Sequence, residues 1–385
     1  MIVNYVKYLF ARNQLEVEEM KFGLDLFPDR GPKTKSAEQY FYEALELTEL
    51  ADSLGYESVK MVEHYFYPYG GYSPNPLIFL AAAASRTKRM RLITGCVLPA
   101  FSHPLKQAAE LAMLDAISGG RLDVGFARAF IPGEFDAFGV SMDESRDRFN
   151  EGVEAVLQAW KGEHFSFKGK FYQWEDVQSL PIPTQKPHPP VWQAVVATPQ
   201  SYEEAGRLGR NLMVVPYLAD FDVLEEHIEL YRNAYRNSGH GEPTKDNIMM
   251  VLHTYIADTT EQAYEDTRDC MQEYVEVFKE AASTWNKKVS SDYKKYNALP
   301  SMLDAMTFEK IVSEKRAAIG TADEVYEIIK EVTDRFGVGH LTLQQHFGGL
   351  EFIKAKKNIE RFAEKVMPRF NQKEETVESS VKVNA

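Results

Sequence analysis

Cysteine is scarce: Cys96 and Cys270 are the only two in 385 residues. That excludes a disulfide framework and a four-cysteine zinc site, and it suits a reducing compartment. No run approaches the roughly 18 apolar residues that a membrane-crossing helix needs, so no membrane association is expected. Positive charge is also in deficit. The 44 Lys and Arg face 57 Asp and Glu, for a net charge of -13, and no basic stripe suggests a nucleic-acid partner. The opening residues, broken by Lys7, Arg12 and three glutamates, lack the apolar stretch of a signal peptide, which makes the cytoplasm the expected location. Nor does a GxGxxG join a strand to a helix, so no dedicated nicotinamide site is expected.

What the chain does have is a core-forming 44% of hydrophobic residues and a regular alternation. "MKFGLDLF" at 20–27 reads as a chain start, leaving 1–19 as an N-terminal extension, 20–370 as one domain and 371–385 as a solvated tail. Strand-like runs begin at 21, 58, 91, 121, 191, 211, 247 and 340, with helix-like segments between them. Ser36 with Gln39, Ser201 with Glu204, and Thr321 with Glu324 have capping-box spacing. Residues 165–190 break the rhythm with a hairpin and a proline-rich return, and 261–320 read as mostly helical. Eight strands predict a single (β/α)8 TIM-like barrel with insertions after strands 4 and 7.

Chemistry in such a barrel gathers where strands end, because the interior is packed and only that rim is open. The second strand runs into "EHYFYPYGGY", which puts Glu63 and His64 at its end. Alternation along the strand favours His64 over Glu63 as the inward group, and imidazole suits proton exchange. Arg128 ends the fourth strand, Arg146 opens a helix, and "ATPQS" ends the fifth strand. Two cations with a helix start suit a phosphate. Thr198 and Ser201 fit helix capping equally well, and Arg146 fits pairing with Asp143 or Glu144. Gly95 and Cys96 read first as close barrel packing. The rings of Tyr65, Phe66, Tyr67, Tyr69 and Tyr72 suit either a pocket wall or a dimer contact. His64, His103, His253, His340 and His346 raise a metal-dependent hydrolase, which the first strand opposes by offering no His-x-His pair, so no metal is expected.

"VEHYF", "SPNPLIFLAAAASRT", "VLPAFSHPLKQAAELAMLDAISGGRLDVGFARAF", "FGVSMDESRDRF" and "PVWQAVVATPQSYEEAGRLG" together resemble the bacterial luciferase-like monooxygenase family, in order from about 21 to 370. The resemblance implies a barrel, usually dimeric, that binds FMN at the C-terminal rim. It implies His64 as the active-site histidine, Arg128 and Arg146 near the flavin phosphate, and Ala197, Thr198 and Ser201 in the phosphate-side turn. Gly95 and Cys96 match a strand where the family often has an unusual cis peptide beneath the flavin ring. The implied reaction uses reduced FMN and dioxygen, through a flavin hydroperoxide, to insert one oxygen atom into a small, largely apolar substrate. A separate NAD(P)H-dependent flavin reductase and a homodimer are the implied partners. Ala127 replaces the reactive cysteine of light-emitting members and Tyr65 their second histidine, which argues against light emission. A deazaflavin-dependent hydride transfer and a non-catalytic flavin-binding subunit are the alternatives.

Overall fold

The computed structural model describes residues 19–216, 220–288, 290–294 and 296–371, so nearly all of the expected extension and tail lies outside the described residues. Its strands are β1 (Lys21–Leu26), β2 (Ser58–Met61), β3 (Arg91–Thr94), β4 (Leu122–Phe126), β5 (Phe165–Lys168), β6 (Gln173–Val177), β7 (Val191–Val195), β8 (Asn211–Val214), β9 (Ile248–Ile256), β10 (Ala317–Gly320) and β11 (His340–Gln344). Between them run α1 (Ala37–Ser53), α2 (Pro76–Arg86), α3 (Pro104–Ile117), α4 (Pro132–Phe138), α5 (Ser145–Ala159), α6 (Pro199–Arg207), α7 (Phe221–Asn237), α8 (Thr260–Ala282), α9 (Leu299–Asp304), α10 (Phe308–Ser313), α11 (Ala322–Phe336), α12 (Phe352–Lys365) and α13 (Met367–Phe370).

The barrel strands pair in parallel in the order β1-β2-β3-β4-β7-β8-β9-β11, and β11 returns to β1 to close the ring. These are the eight strands that the alternation predicts. Covered by helices outside and packed within, they need apolar side chains on both faces, and all nine residues of β9 are buried. Helix α1 shows how the sequence directs its cover. The Ser36 hydroxyl accepts the Gln39 amide at 3.2 Å, Tyr40, Ala44, Leu47 and Ala51 face inward, and Gly55 at φ +93° takes the turn that ends the helix. Truncating Leu47 to alanine there would cost roughly 2–5 kcal/mol.

Both insertions are present. After β4, β5 and β6 form an antiparallel hairpin, with Phe167 stacked on Trp174 at 4.9 Å. After β9, the segment read as mostly helical also contains β10, which pairs in parallel with β9 from Ala317↔His253 onward. "AAIG" is too short and too poor in β-branched residues to announce a strand; it is ordered because β9 extends past the three residues that it shares with β8. A second correction concerns α6. It starts at Pro199 with Thr198 at the N-cap, so Ser201 lies inside its first turn and makes no capping box with Glu204. Proline at N1 fixes that start. Among the described residues, no helix is long and apolar enough to cross a membrane.

Candidate active site

A cavity of about 1150 Å³, counting its opening, lies at the C-terminal ends of the barrel strands. His64, Gly95, Cys96, Arg128, Thr198 and Ser201 line it. A cleft of about 900 Å³ adjoins it through the shared residues Thr198 and Tyr296, and holds Arg146 and Ala197. All eight residues singled out from sequence thus face one continuous region.

His64 follows β2 and is fixed from a distance. Its Nδ1 lies 3.0 Å from Oε1 of Glu134, which also accepts the Tyr65 amide at 2.9 Å. Glu134 is fully buried at the start of α4. Because Glu134 Oε1 is an acceptor in this pair, the His64 Nδ1–H is its donor. Glu134 was not among the sequence candidates, since nothing local in "IPGEFDAF" marks it as a partner of residue 64. Glu63 corrects the argument from alternation: it lines the same cavity as His64, because β2 ends at Met61 and the next residues leave the pleat. Tyr65 Oη donates to Glu63 Oε1 at 2.6 Å, and the Leu98 amide donates to Oε2 at 3.2 Å. Burial outweighs both bonds and pushes this carboxyl up to about 7.

At the other end, the Arg128 guanidinium lies 3.5 Å from Asp292 and 4.6 Å from the Tyr293 ring centre. Arg146 pairs with Glu204 of α6 at 3.2 Å, and neither Asp143 nor Glu144 takes that place. Glu144 pairs instead with Arg148. Glu204 therefore ties α5 to α6, also accepting from Asn150 at 2.8 Å. Thr198 makes no side-chain cap to α6; Pro199 has no N–H and the Ser201 amide donates to the Thr198 carbonyl at 2.9 Å, which leaves the Gln200 amide at the helix start for an anion. Asp292, Tyr293 and Tyr296 come from the second insertion, where the sequence carries no recognisable motif.

The floor is unusually polar. Gly95–Cys96 is a cis peptide, and a side chain at Gly95 would collide with the Lys60 stem at 2.5 Å. Close packing is therefore what glycine serves here. Lys60 Nζ lies 3.4 Å from Asp25 on the neighbouring strand, both buried; burial raises the Asp25 carboxyl pKa, with Lys60 opposing. Burial also lifts the Cys96 thiol to about 12, so it stays neutral. Gln344, at the end of β11, points an amide Nε2 without a hydrogen-bond partner among the described residues.

Aromatic side chains wall the opening. Tyr69 stacks on Phe278 at 4.3 Å and tilts against Phe27 at 4.5 Å. Of the ring-rich loop, Tyr69 is buried while Phe66 is 62% exposed, so that loop is part wall and part surface. The other histidines lie apart: His103 caps α3, His340 begins β11 near Asp246, and His346 faces Glu43. Burial drives His253 down to about 3, against Tyr274 and Phe347.

Comparison with known proteins bears on the family and the fold. The family described as luciferase-like monooxygenase matches residues 20–339. The oxygenase component of a flavin-dependent trigonelline monooxygenase from Acinetobacter baylyi is 30% identical over 364 residues, covering 92% of this chain and 96% of its own. Among solved structures, the monooxygenase RslO1 from Streptomyces bottropensis superposes with a TM-score of 0.81 at 43% identity, over 91% of this chain and all of that one. Two more distant structures share the fold alone. One is the oxygenating constituent of 3,6-diketocamphane monooxygenase from Pseudomonas putida in complex with FMN, at TM-score 0.76 and 21% identity, over 91% of this chain and 98% of that one. The other is an F420-dependent secondary alcohol dehydrogenase, at TM-score 0.71 and 19% identity, over 92% and 100%. From the matched span and the relatives together, the chain belongs to the luciferase-like monooxygenase family and is an oxidoreductase enzyme.

Proposed function

We propose that the chain is the oxygenase of a two-component system, an FMN-dependent monooxygenase. It would take reduced FMN from a separate NAD(P)H-dependent flavin reductase and use dioxygen to place one oxygen atom in a small, largely apolar organic substrate. The observation that carries this reading is the meeting of His64, Arg128, Arg146 and the start of α6 around adjoining cavities.

The residues present fit FMN on their own chemistry. Arg128, Arg146 and the Gln200 amide at the start of α6 suit a phosphate dianion. The unpartnered Gln344 amide suits the acceptor-rich edge of a heterocycle. Gly95 and Cys96 offer a flat floor, and Thr198 and Ser201 line the stretch between ring and phosphate ends. When bound, reduced flavin supplies the electrons that activate dioxygen. The chain's own part is to exclude water with Phe27, Tyr69, Phe130 and Tyr296, and to exchange a proton at His64 Nε2 while Glu134 holds the ring.

We also propose a homodimer through the face where α1, α2 and α3 leave Tyr42, Ile78, Met113 and Ile117 exposed; a monomeric mass in light scattering would refute it. The test of the main reading is a single-turnover assay of the full chain with reduced FMN, with and without oxygen. FMN retention and oxygen-dependent product support it. Turnover with a reduced deazaflavin under anaerobic conditions would instead favour the hydride-transfer reading, in keeping with the F420-dependent fold neighbour.

A further inference from the structure

Glu63 lines the cavity beside His64 and has no task in the reading above. Its two partners, the Tyr65 hydroxyl and the Leu98 amide, are donors that suit an ionised carboxylate. Among the described residues, no ion pair neutralises it. The charged and titratable groups that face it are Tyr65 and His64 on its own loop, Glu134 from α4, Lys106 from α3 and Cys96 beyond β3. Burial and Glu134 oppose its ionisation; Lys106 and the two hydrogen bonds favour it. The side chain is therefore arranged to hold a proton and to steady the charge once the proton leaves.

We propose that Glu63 is a second proton-holding group of this cavity, acting beside His64 on an oxygen atom of the bound molecule. This rests on reading the cavity as a flavin-dependent oxygenation site. In the step, the O–H bond of the Glu63 carboxyl breaks and an O–H bond forms on the acceptor oxygen. No electrons pass to or from the residue. The resulting carboxylate is held by Tyr65 Oη and the Leu98 amide, and it regains a proton from water.

An infrared titration of the full chain, with and without FMN, tests this directly. The expected result is a protonated-carboxyl band with a midpoint near neutral pH, absent in Glu63→Gln. Tyr65→Phe should move the midpoint upward, because it removes a donor to the ionised form; this variant keeps the test open should Glu63→Gln fail to fold. In single turnover at about pH 6.5, Glu63→Gln should keep its FMN affinity within about twofold and lose roughly 10- to 100-fold in product formation, together with the neutral ionisation in the pH profile. A band that survives in Glu63→Gln, an unmoved midpoint in Tyr65→Phe, or an unchanged profile overturns the proposal. The infrared arm does not depend on flavin, so loss of FMN binding would sink the oxygenase reading while the carboxyl band is judged separately.

Discussion

The two sides of the cavity have different origins. His64, Gly95, Arg128 and Thr198 follow barrel strands, whose main-chain ladders fix their positions. On the other side, Asp292, Tyr293 and Tyr296 come from the insertion between β9 and β10, as does Phe278, which stacks behind the cavity-lining Tyr69. That insertion is joined to the barrel rim by side chains: Arg128 to Asp292 at 3.5 Å, Lys288 to Asp136 at 2.6 Å, and Ser290 to Asp143 at 2.6 Å. Of these, Lys288–Asp136 is exposed and contributes about 0–1 kcal/mol, while Arg128–Asp292 and Ser290–Asp143 are half-buried. The barrel side is thus held by main-chain ladders, and the insertion side by side-chain contacts, among them the buried apolar cluster in which Phe278, Trp285 and Tyr293 pack with Tyr69, Ile131 and Phe135.

The sharpest way to separate the two sides is His64→Ala, which should cut product formation on the order of 100-fold with FMN affinity retained. Unchanged turnover would remove His64 from the chemistry. Glu134→Gln should act through the same ring, lowering product formation about tenfold. Combined with His64→Ala it should add almost nothing, whereas additive losses would mean an independent role. Arg128→Ala and Arg146→Ala should each weaken FMN binding about tenfold in a fluorescence titration, the scale of a charged hydrogen bond, with the circular dichroism spectrum unchanged. Equal affinity in both variants argues against the phosphate assignment.

Asp292→Ala probes the insertion side and should shift FMN affinity by no more than about threefold. A larger loss would erase the contrast, because the insertion would then hold the site as firmly as the barrel does. A separate effect is on stability. Glu63 keeps its proton in the folded chain up to about 7, whereas an unfolded glutamate loses it near its ordinary value. Its contribution is therefore complete in acid and is lost as pH rises through neutrality. Denaturant unfolding of Glu63→Gln should show a shallower decline over that window than the parent; parallel curves would count against it.

The same division decides what was legible in the sequence. All eight barrel strands could be read because a parallel strand buried on both faces is written as a continuous apolar run, as in "IMMVLHTYI". Residues placed directly by strand ends, such as His64 and Arg128, inherit that legibility. Glu63 escapes the alternation rule because it lies past the last residue of β2, where that rule no longer applies. Glu134 and Tyr296 owe their positions to contacts between segments far apart in the chain, and no local pattern encodes such a meeting. The strand β10 was hidden for a related reason: its order comes from the neighbour that it joins.

Asp25 and Lys60 are register partners on adjacent staves, with opposite charges meeting at 3.4 Å under the floor of the cavity. Deleting either one strands the other in a medium that cannot solvate it, at a cost of about 3–5 kcal/mol, while exchanging both for apolar side chains of matching volume can be nearly neutral. The two therefore behave as one unit under substitution. A route by which this floor changes character runs through paired replacement, and an engineer who wishes to reshape the ring end should alter both positions at once.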